Sequence, residues 1–277
     1  MYSSDELKEL VDNQVQQIRR VTDFVPEVAL ILGSGLGVIA DEIEQVAVVD
    51  YHDLPRFPVS TVSGHKGRFV FGRIGDTKVV VMQGRVHYYE GYSMQEVVLP
   101  IRVMAALGAK ILYITNASGG INPEFVPGDL MMITDQISSF VPSPLIGENV
   151  DEWGPRFPSM NEIYNGELNA KIDSVAEGLG ISLKHGIYVQ TTGPQYESPV
   201  EVKMFRSLGA DAVGMSTSVE AITANHMGMR VCGISCVTNV AGGSSGKPVT
   251  HEEVKVNADK AAENFKRLVK ESIKILV

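Results

Sequence analysis

Arg85, His65, Ser34 and Ser216 are the residue types that hold an oxyanion, and the backbone at Asn116-Ala117 can add N–H donors. Arg85 carries a fixed charge on a planar donor fork, which suits phosphate or carboxylate. A second group, Tyr196, Glu197 and Asn239, suits a planar heterocycle with mixed donors and acceptors. Each polar cluster follows an apolar run: Gly33-Ser34-Gly35, Gln83 to Tyr92, Asn116 to Gly120, Thr191 to Ser198, Gly214 to Thr217 and Thr238-Asn239. In open α/β sheets, ligands bind beyond the carboxyl ends of strands. Any one cluster could be a structural turn; six at such positions suggest a pocket.

The first turn illustrates the choice. Val28 to Leu32 reads as a strand buried on both faces, and it breaks into Gly33, Gly35 and Gly37. Glycines let backbone N–H groups approach an anion. A dinucleotide fingerprint requires a third glycine at position 38, where this chain has Val38, and an acid near Asp53 reached through a helix that the sequence does not offer. A bare strand-to-helix turn and a single-phosphate turn remain, and the Ser34 hydroxyl favours phosphate.

Composition narrows the class. The chain has 277 residues with 24 Lys and Arg against 33 Asp and Glu, a formal charge of −9, which disfavours nucleic acid and anionic membranes as partners. No apolar run reaches the length of a membrane span, and no export signal is read in Met1 to Thr22. Leu7, Leu10, Val11, Val15 and Ile18 instead have amphipathic-helix spacing. Two cysteines, Cys232 and Cys236, fit a reducing cytosol. The localisation expected is cytoplasmic. No His, Cys or Glu cluster has metal-ligand spacing, so no metal is expected. There is no G-x-S-x-G elbow and no P-loop.

Strand and helix patterns alternate, as in an α/β fold. Strands are expected at 28–32, 45–51, 68–74, 77–83, 110–115, 130–134, 186–191, 211–214 and 230–237. Helices are expected at 93–107, 166–178, 199–208, 217–227 and from about Thr250. The chain reads as one domain over residues 1–277. Stretches 53–67, 141–161 and 239–250 are rich in Pro, Gly and Ser and read as binding loops. Trp153 and Phe157 lie in the second and argue against disorder there.

"GSGLG", "GHKGRFVFG", "MQGRVHYYEGY", "TNASGGINP", "GDLMMITDQI", "GPQYESPVEV", "GADAVGMSTSVEAITANHMGMRV" and "THEEV" occur in order from about residue 28 to 255. Together they resemble the trimeric, low-molecular-mass purine nucleoside phosphorylases. The resemblance implies an α/β single domain with a central mixed β-sheet flanked by helices. It also implies phosphorolysis of purine nucleosides, a homotrimer, and no cofactor, with orthophosphate as a substrate. The glycine turn would then hold phosphate. The implied phosphate ligands are Ser34, His65, Arg85, the Ala117 N–H and Ser216, with His87 close by. Glu197 would accept from the purine N1–H, Asn239 would donate to N7, and Tyr196 would stack on the ring. Tyr89, Met215 and His251 would face the ribose, and Phe157 would reach a neighbouring subunit's site.

The residues leave bland alternatives: His87 with Glu90 as a surface pair, Met215 as core, His251 as a helix start. Val240 stands where vertebrate members carry Lys, Ser118 where many have Ala, and Tyr196 where Phe is frequent. Asn239 points to 6-oxopurines such as inosine and guanosine. A methylthioadenosine-preferring member would place Asp there, and a xanthosine-preferring member stays open. A nucleoside transporter or sensor would need no oxyanion cluster beside the base.

Overall fold

An unbroken run of apolar residues sets the central strand. In the computed structural model, β1 (Val28–Ile31) is buried at all four positions. Val28 and Leu30 face one core, while Ala29 and Ile31 face the other. The structure describes residues 2–33, 36–62, 64–243 and 250–277, and within 250–277 the side chains of residues 251–253 and 255 are not described.

In chain order the elements are α1 (Ser4–Arg19), β1, α2 (Ile39–Glu42), β2 (Glu44–Asp50), β3 (Arg68–Ile74), β4 (Thr77–Gln83), α3 (Met94–Val97), α4 (Leu99–Ala106), β5 (Ile111–Gly120), β6 (Leu130–Ile137), α5 (Gly166–Gly178), β7 (Leu183–Gln190), α6 (Pro199–Ser207), β8 (Ala212–Gly214), α7 (Ser218–His226), β9 (Arg230–Val240) and α8 (His251–Leu276). Helix α1 starts on a capping box between Ser3 and Glu6 and buries Leu7, Leu10, Val11 and Ile18. Its inner face joins the core on one side of the sheet. Phe265, Leu268, Val269, Ile273 and Leu276 of α8 close the core on the other side.

The sheet is mixed and runs β2-β3-β4-β1-β5-β8-β7-β6-β9. β2, β3 and β4 form an antiparallel meander, while β1 lies parallel between β4 and β5. β9 returns to pair in parallel with β5 along Ile111–Gly120 and also pairs with β6. The strands β5, β8, β7, β6 and β9 therefore close on themselves. Along its other edge, β5 pairs with β1 over Ile111–Ile114 and with β8 only at Gly119–Gly120. Between these two pairings the edge forks, and Thr115 to Ser118 lie in the fork.

This corrects the expected strand ends. Strands 110–115 and 230–237 run on to Gly120 and Val240, so Asn116–Gly120 and Thr238-Asn239 are strand residues, not loops beyond strands. The closed half of the sheet makes the difference, because β9 keeps pairing with β5 past the point where β1 leaves. The expected helix 93–107 breaks at Val98, where Pro100 cannot donate to the preceding turn. A one-turn α2 precedes β2 where no helix was expected. In the stretch 141–161, Trp153 packs against the core with the Arg102 guanidinium 4.7 Å from its ring centroid, whereas Phe157 is 88% exposed.

Candidate active site

One pocket opens at the fork. Its walls include His65, Arg85, His87, Tyr89, Ala117, Tyr196, Glu197, Met215, Ser216 and Asn239, all expected from sequence. Ser34 lies outside the described residues, and the side chain of His251 is not described. Gly33, which precedes Ser34, lines the pocket. A Cβ there would meet the Asn116 Cα at 2.7 Å, so only glycine lets the end of β1 lie this close to β5. The Gly33 N–H donates to Thr115 Oγ1 at 2.9 Å, which fixes that approach.

At the oxyanion end, Arg85 follows β4 and is 3% exposed. Its Nε donates to Glu220 Oε1 at 2.8 Å, and its Nη2 has no hydrogen-bond partner among the described residues. Glu220 is equally buried, and its Oε2 accepts from the Thr217 N–H at 3.0 Å. Thr217 has φ +84°, a backbone that non-glycine residues adopt only under constraint. The constraint is visible. Besides Glu220, Asn116 Nδ2 donates to Thr217 Oγ1 at 2.8 Å, and Ser235 Oγ donates to Asn116 Oδ1 at 2.5 Å. The turn so held carries Ser216, whose Oγ lies 3.2 Å from Thr217 Oγ1.

Two histidines complete this end, their ring centroids 5.6 Å apart. His65 Nδ1 lies 2.7 Å from the Arg85 carbonyl, which can only accept, so Nδ1 carries the proton. Burial pushes the His65 pKa down to about 4. His87 Nδ1 lies 3.1 Å from Glu90 Oε1. Burial pushes Glu90 up, but hydrogen bonds from His87 and Thr61 outweigh it and hold the carboxyl at about 2. The Glu90 side chain is 1% exposed, so His87 and Glu90 are not a surface pair. Ser60 Oγ touches both His65 Nδ1 and Glu90.

At the heterocycle end, burial raises the Glu197 pKa, and Thr191 Oγ1 donates to its Oε1 at 3.1 Å. Asn239 Oδ1 accepts from Thr238 Oγ1 at 3.1 Å. Its Nδ2 donates to the Val240 carbonyl at 3.3 Å, which leaves a second N–H on that nitrogen. Asn257 of α8 donates to the Thr238 carbonyl at 2.8 Å and ties this strand end down. Met215 lines the pocket beside Gly193, whose φ of +64° and close approach to the Met215 sulfur exclude a larger residue. His87 and Tyr89 stack with centroids 4.8 Å apart.

Phe157 is apart from this pocket. It lies in a shallow groove with Leu145, Ile146, Pro158, Met160 and Ile222. Sequence reading missed Glu220 and Ser235, and placed Thr217 only within the polar cluster Gly214 to Thr217. Glu220 had one available signal, the Thr217-x-x-Glu220 spacing of a capping box, which the structure forms. Ser118 Oγ lies 2.6 Å from Ser235 Oγ and donates to it, since the single Ser235 hydroxyl hydrogen is given to Asn116 Oδ1. Among the described residues, no group of three or more His, Cys, Asp or Glu could hold a metal ion, and no helix is long and apolar enough to cross a membrane.

Comparison with known proteins agrees with this arrangement. The Phosphorylase superfamily profile matches residues 27–274. Purine nucleoside phosphorylase 1 of Geobacillus stearothermophilus is 50% identical over 94% of this chain and 95% of that protein. The Bos taurus purine nucleoside phosphorylase is 42% identical over 90% of this chain and 88% of its own length. Among solved structures, isoform 2 of the Schistosoma mansoni purine nucleoside phosphorylase, in complex with cytosine and ribose-1-phosphate, superposes with a TM-score of 0.92. It is 40% identical, with 97% of each chain covered. A Schistosoma mansoni purine nucleoside phosphorylase in complex with inosine gives a TM-score of 0.91 at 38% identity, also with 97% of each chain covered.

Proposed function

Because the chain belongs to the phosphorylase superfamily, and within it to the purine nucleoside phosphorylases, we propose that this pocket performs the reversible phosphorolysis of 6-oxopurine nucleosides. Inosine and guanosine, in ribo or deoxy form, are the proposed substrates, with orthophosphate as the second. The observation that carries the reading is one pocket with two ends. Arg85 and Ser216 line it at one end, Glu197 and Asn239 at the other.

In the reaction a phosphate oxygen forms a bond to C1′ as the C1′–N9 bond breaks. The electron pair of that bond goes to the purine, which then takes a proton from solvent. The sugar passes through an oxocarbenium-like state, so an anion beneath it and donors on the purine stabilise the transition state more than the ground state. Arg85, Ser216, His65, His87, Ser34 and the Ala117 N–H are assigned to phosphate. Each charge-assisted hydrogen bond contributes roughly 1.5–3 kcal/mol. Glu197 accepts from N1–H, and the second Nδ2 hydrogen of Asn239 reaches N7 as charge builds there. Tyr196 covers the ring, and Tyr89, Met215 and His251 take the ribose.

The same reading makes the protein a cytoplasmic homotrimer with one phosphorylase domain. Two unpaired, buried cysteines support a reducing compartment. An 88% exposed Phe157 in an apolar groove supports a neighbouring subunit there. The test is purine release from inosine, guanosine and adenosine with and without phosphate. Release from the two 6-oxopurine nucleosides that requires phosphate is expected. Phosphate-independent release contradicts a phosphorylase.

A further inference from the structure

Both imidazoles at the oxyanion end have their Nδ1 proton committed to an acceptor. For His65 the acceptor is the Arg85 carbonyl at 2.7 Å, and for His87 it is Glu90 Oε1 at 3.1 Å. A carbonyl and a carboxylate cannot donate, so in the neutral rings each Nε2 holds a lone pair. His65 and His87 both line the pocket. The oxyanion end is thus furnished with two hydrogen-bond acceptors as well as donors.

The charges point the same way. Arg85 and Glu90 act on the His65 ring, Glu90 and Tyr89 contact the His87 ring, and Glu220 lies behind Arg85, with Ser60 bridging His65 to Glu90. Arg85 is cancelled by Glu220 across 2.8 Å, and Glu90 is ionised. With neutral imidazoles this cluster carries one net negative charge. Glu197 adds a further carboxyl in the same pocket. A phosphate dianion entering between the two neutral rings would meet their Nε2 lone pairs.

Building on the assignment of this end of the pocket to phosphate, we propose that the site takes up phosphate together with a proton, held between the phosphate oxygens and the Nε2 atoms of His65 and His87. The balance is simple: a dianion HPO4²⁻ and one H⁺ bind, and the pocket gains the charge of a monoanion. Two oxygen-bound hydrogens then meet two ring nitrogens, while the Arg85 guanidinium and Ser216 Oγ donate to the other oxygens. His65 and His87 thereby select an oxyanion that carries hydrogen.

Calorimetric titration of the whole enzyme with inorganic phosphate, in two buffers of different ionisation enthalpy, counts the protons directly. At pH 8 free phosphate is chiefly the dianion, and uptake of about one proton per bound phosphate is expected. At pH 6, where free phosphate already carries that proton, uptake near zero is expected. His65→Asn, which replaces an acceptor by an amide able to donate, should lower the uptake at pH 8. Tight phosphate binding at pH 8 with no proton uptake in the wild type overturns the inference and leaves the phosphate site standing. Failure to bind phosphate at either pH overturns both.

Discussion

Glu220 divides its carboxylate between the Arg85 guanidinium and the Thr217 backbone, Oε1 to Nε at 2.8 Å and Oε2 to N–H at 3.0 Å. One buried group therefore aims the proposed cation and holds the strained turn that presents Ser216. Breaking a buried pair by deleting one partner costs about 3–5 kcal/mol, so Glu220→Ala should lower the thermal midpoint sharply. Glu220→Gln keeps an acceptor for Arg85 but cannot also accept from Thr217 in the same pose. Its KM for phosphate should rise about tenfold or more, as loss of one charge-assisted hydrogen bond implies, with the KM for inosine little changed. Equal effects on both constants would show that Glu220 acts on the pocket as a whole.

His65 gives a pH signature in stability. Its pKa falls from the ordinary 6.5 to about 4 on folding because the ring is buried. A depressed folded pKa contributes stability that is present above 6.5 and is lost as the pH falls through 4. In phosphate-free buffer the wild type should lose stability relative to His65→Asn between those values. A constant difference between the two proteins across that range would mean that His65 is not buried neutral.

Asn239 tests base choice. A site built for one hydrogen-bond pattern rejects another by up to ~10⁴–10⁵ when a buried polar group is left unpaired. Aspartate at this position would face O6 with no donor but could accept from a 6-amino group. Asn239→Asp should shift the kcat/KM ratio of inosine to adenosine by at least ~10²-fold toward adenosine. An unmoved ratio would remove Asn239 from reading the 6-position.

Phe157 tests the assembly. Being 88% exposed, its loss should change the stability of the isolated fold by no more than about 0.5 kcal/mol. Phe157→Ala should nevertheless weaken nucleoside binding, since the ring is proposed to complete a neighbour's ribose site. Sedimentation that finds a fully active wild-type monomer would contradict that role.

Much of this site was legible in the residues because its ligating side chains carry distinctive chemistry and follow apolar runs. Arg85, Glu197 and Asn239 could be sorted by donors and acceptors alone. The strand ends could not. Asn116–Gly120 is rich in glycine and polar residues and reads as a turn, yet pairing with β9 keeps it extended. Glu220 was hidden for a related reason: it sits in a helix where a carboxylate is ordinary, and only tertiary contact brings it to Arg85, 135 residues away. Ser235 likewise lies inside an apolar strand and acts through Asn116.

The central claim is that phosphate, not water, accepts the sugar. Phosphorus NMR of the enzyme with inosine and orthophosphate follows this directly. The account predicts that the orthophosphate resonance declines in step with hypoxanthine release while a single sugar phosphate ester signal grows, one ester for each purine. Hypoxanthine release with the orthophosphate signal unchanged would contradict it.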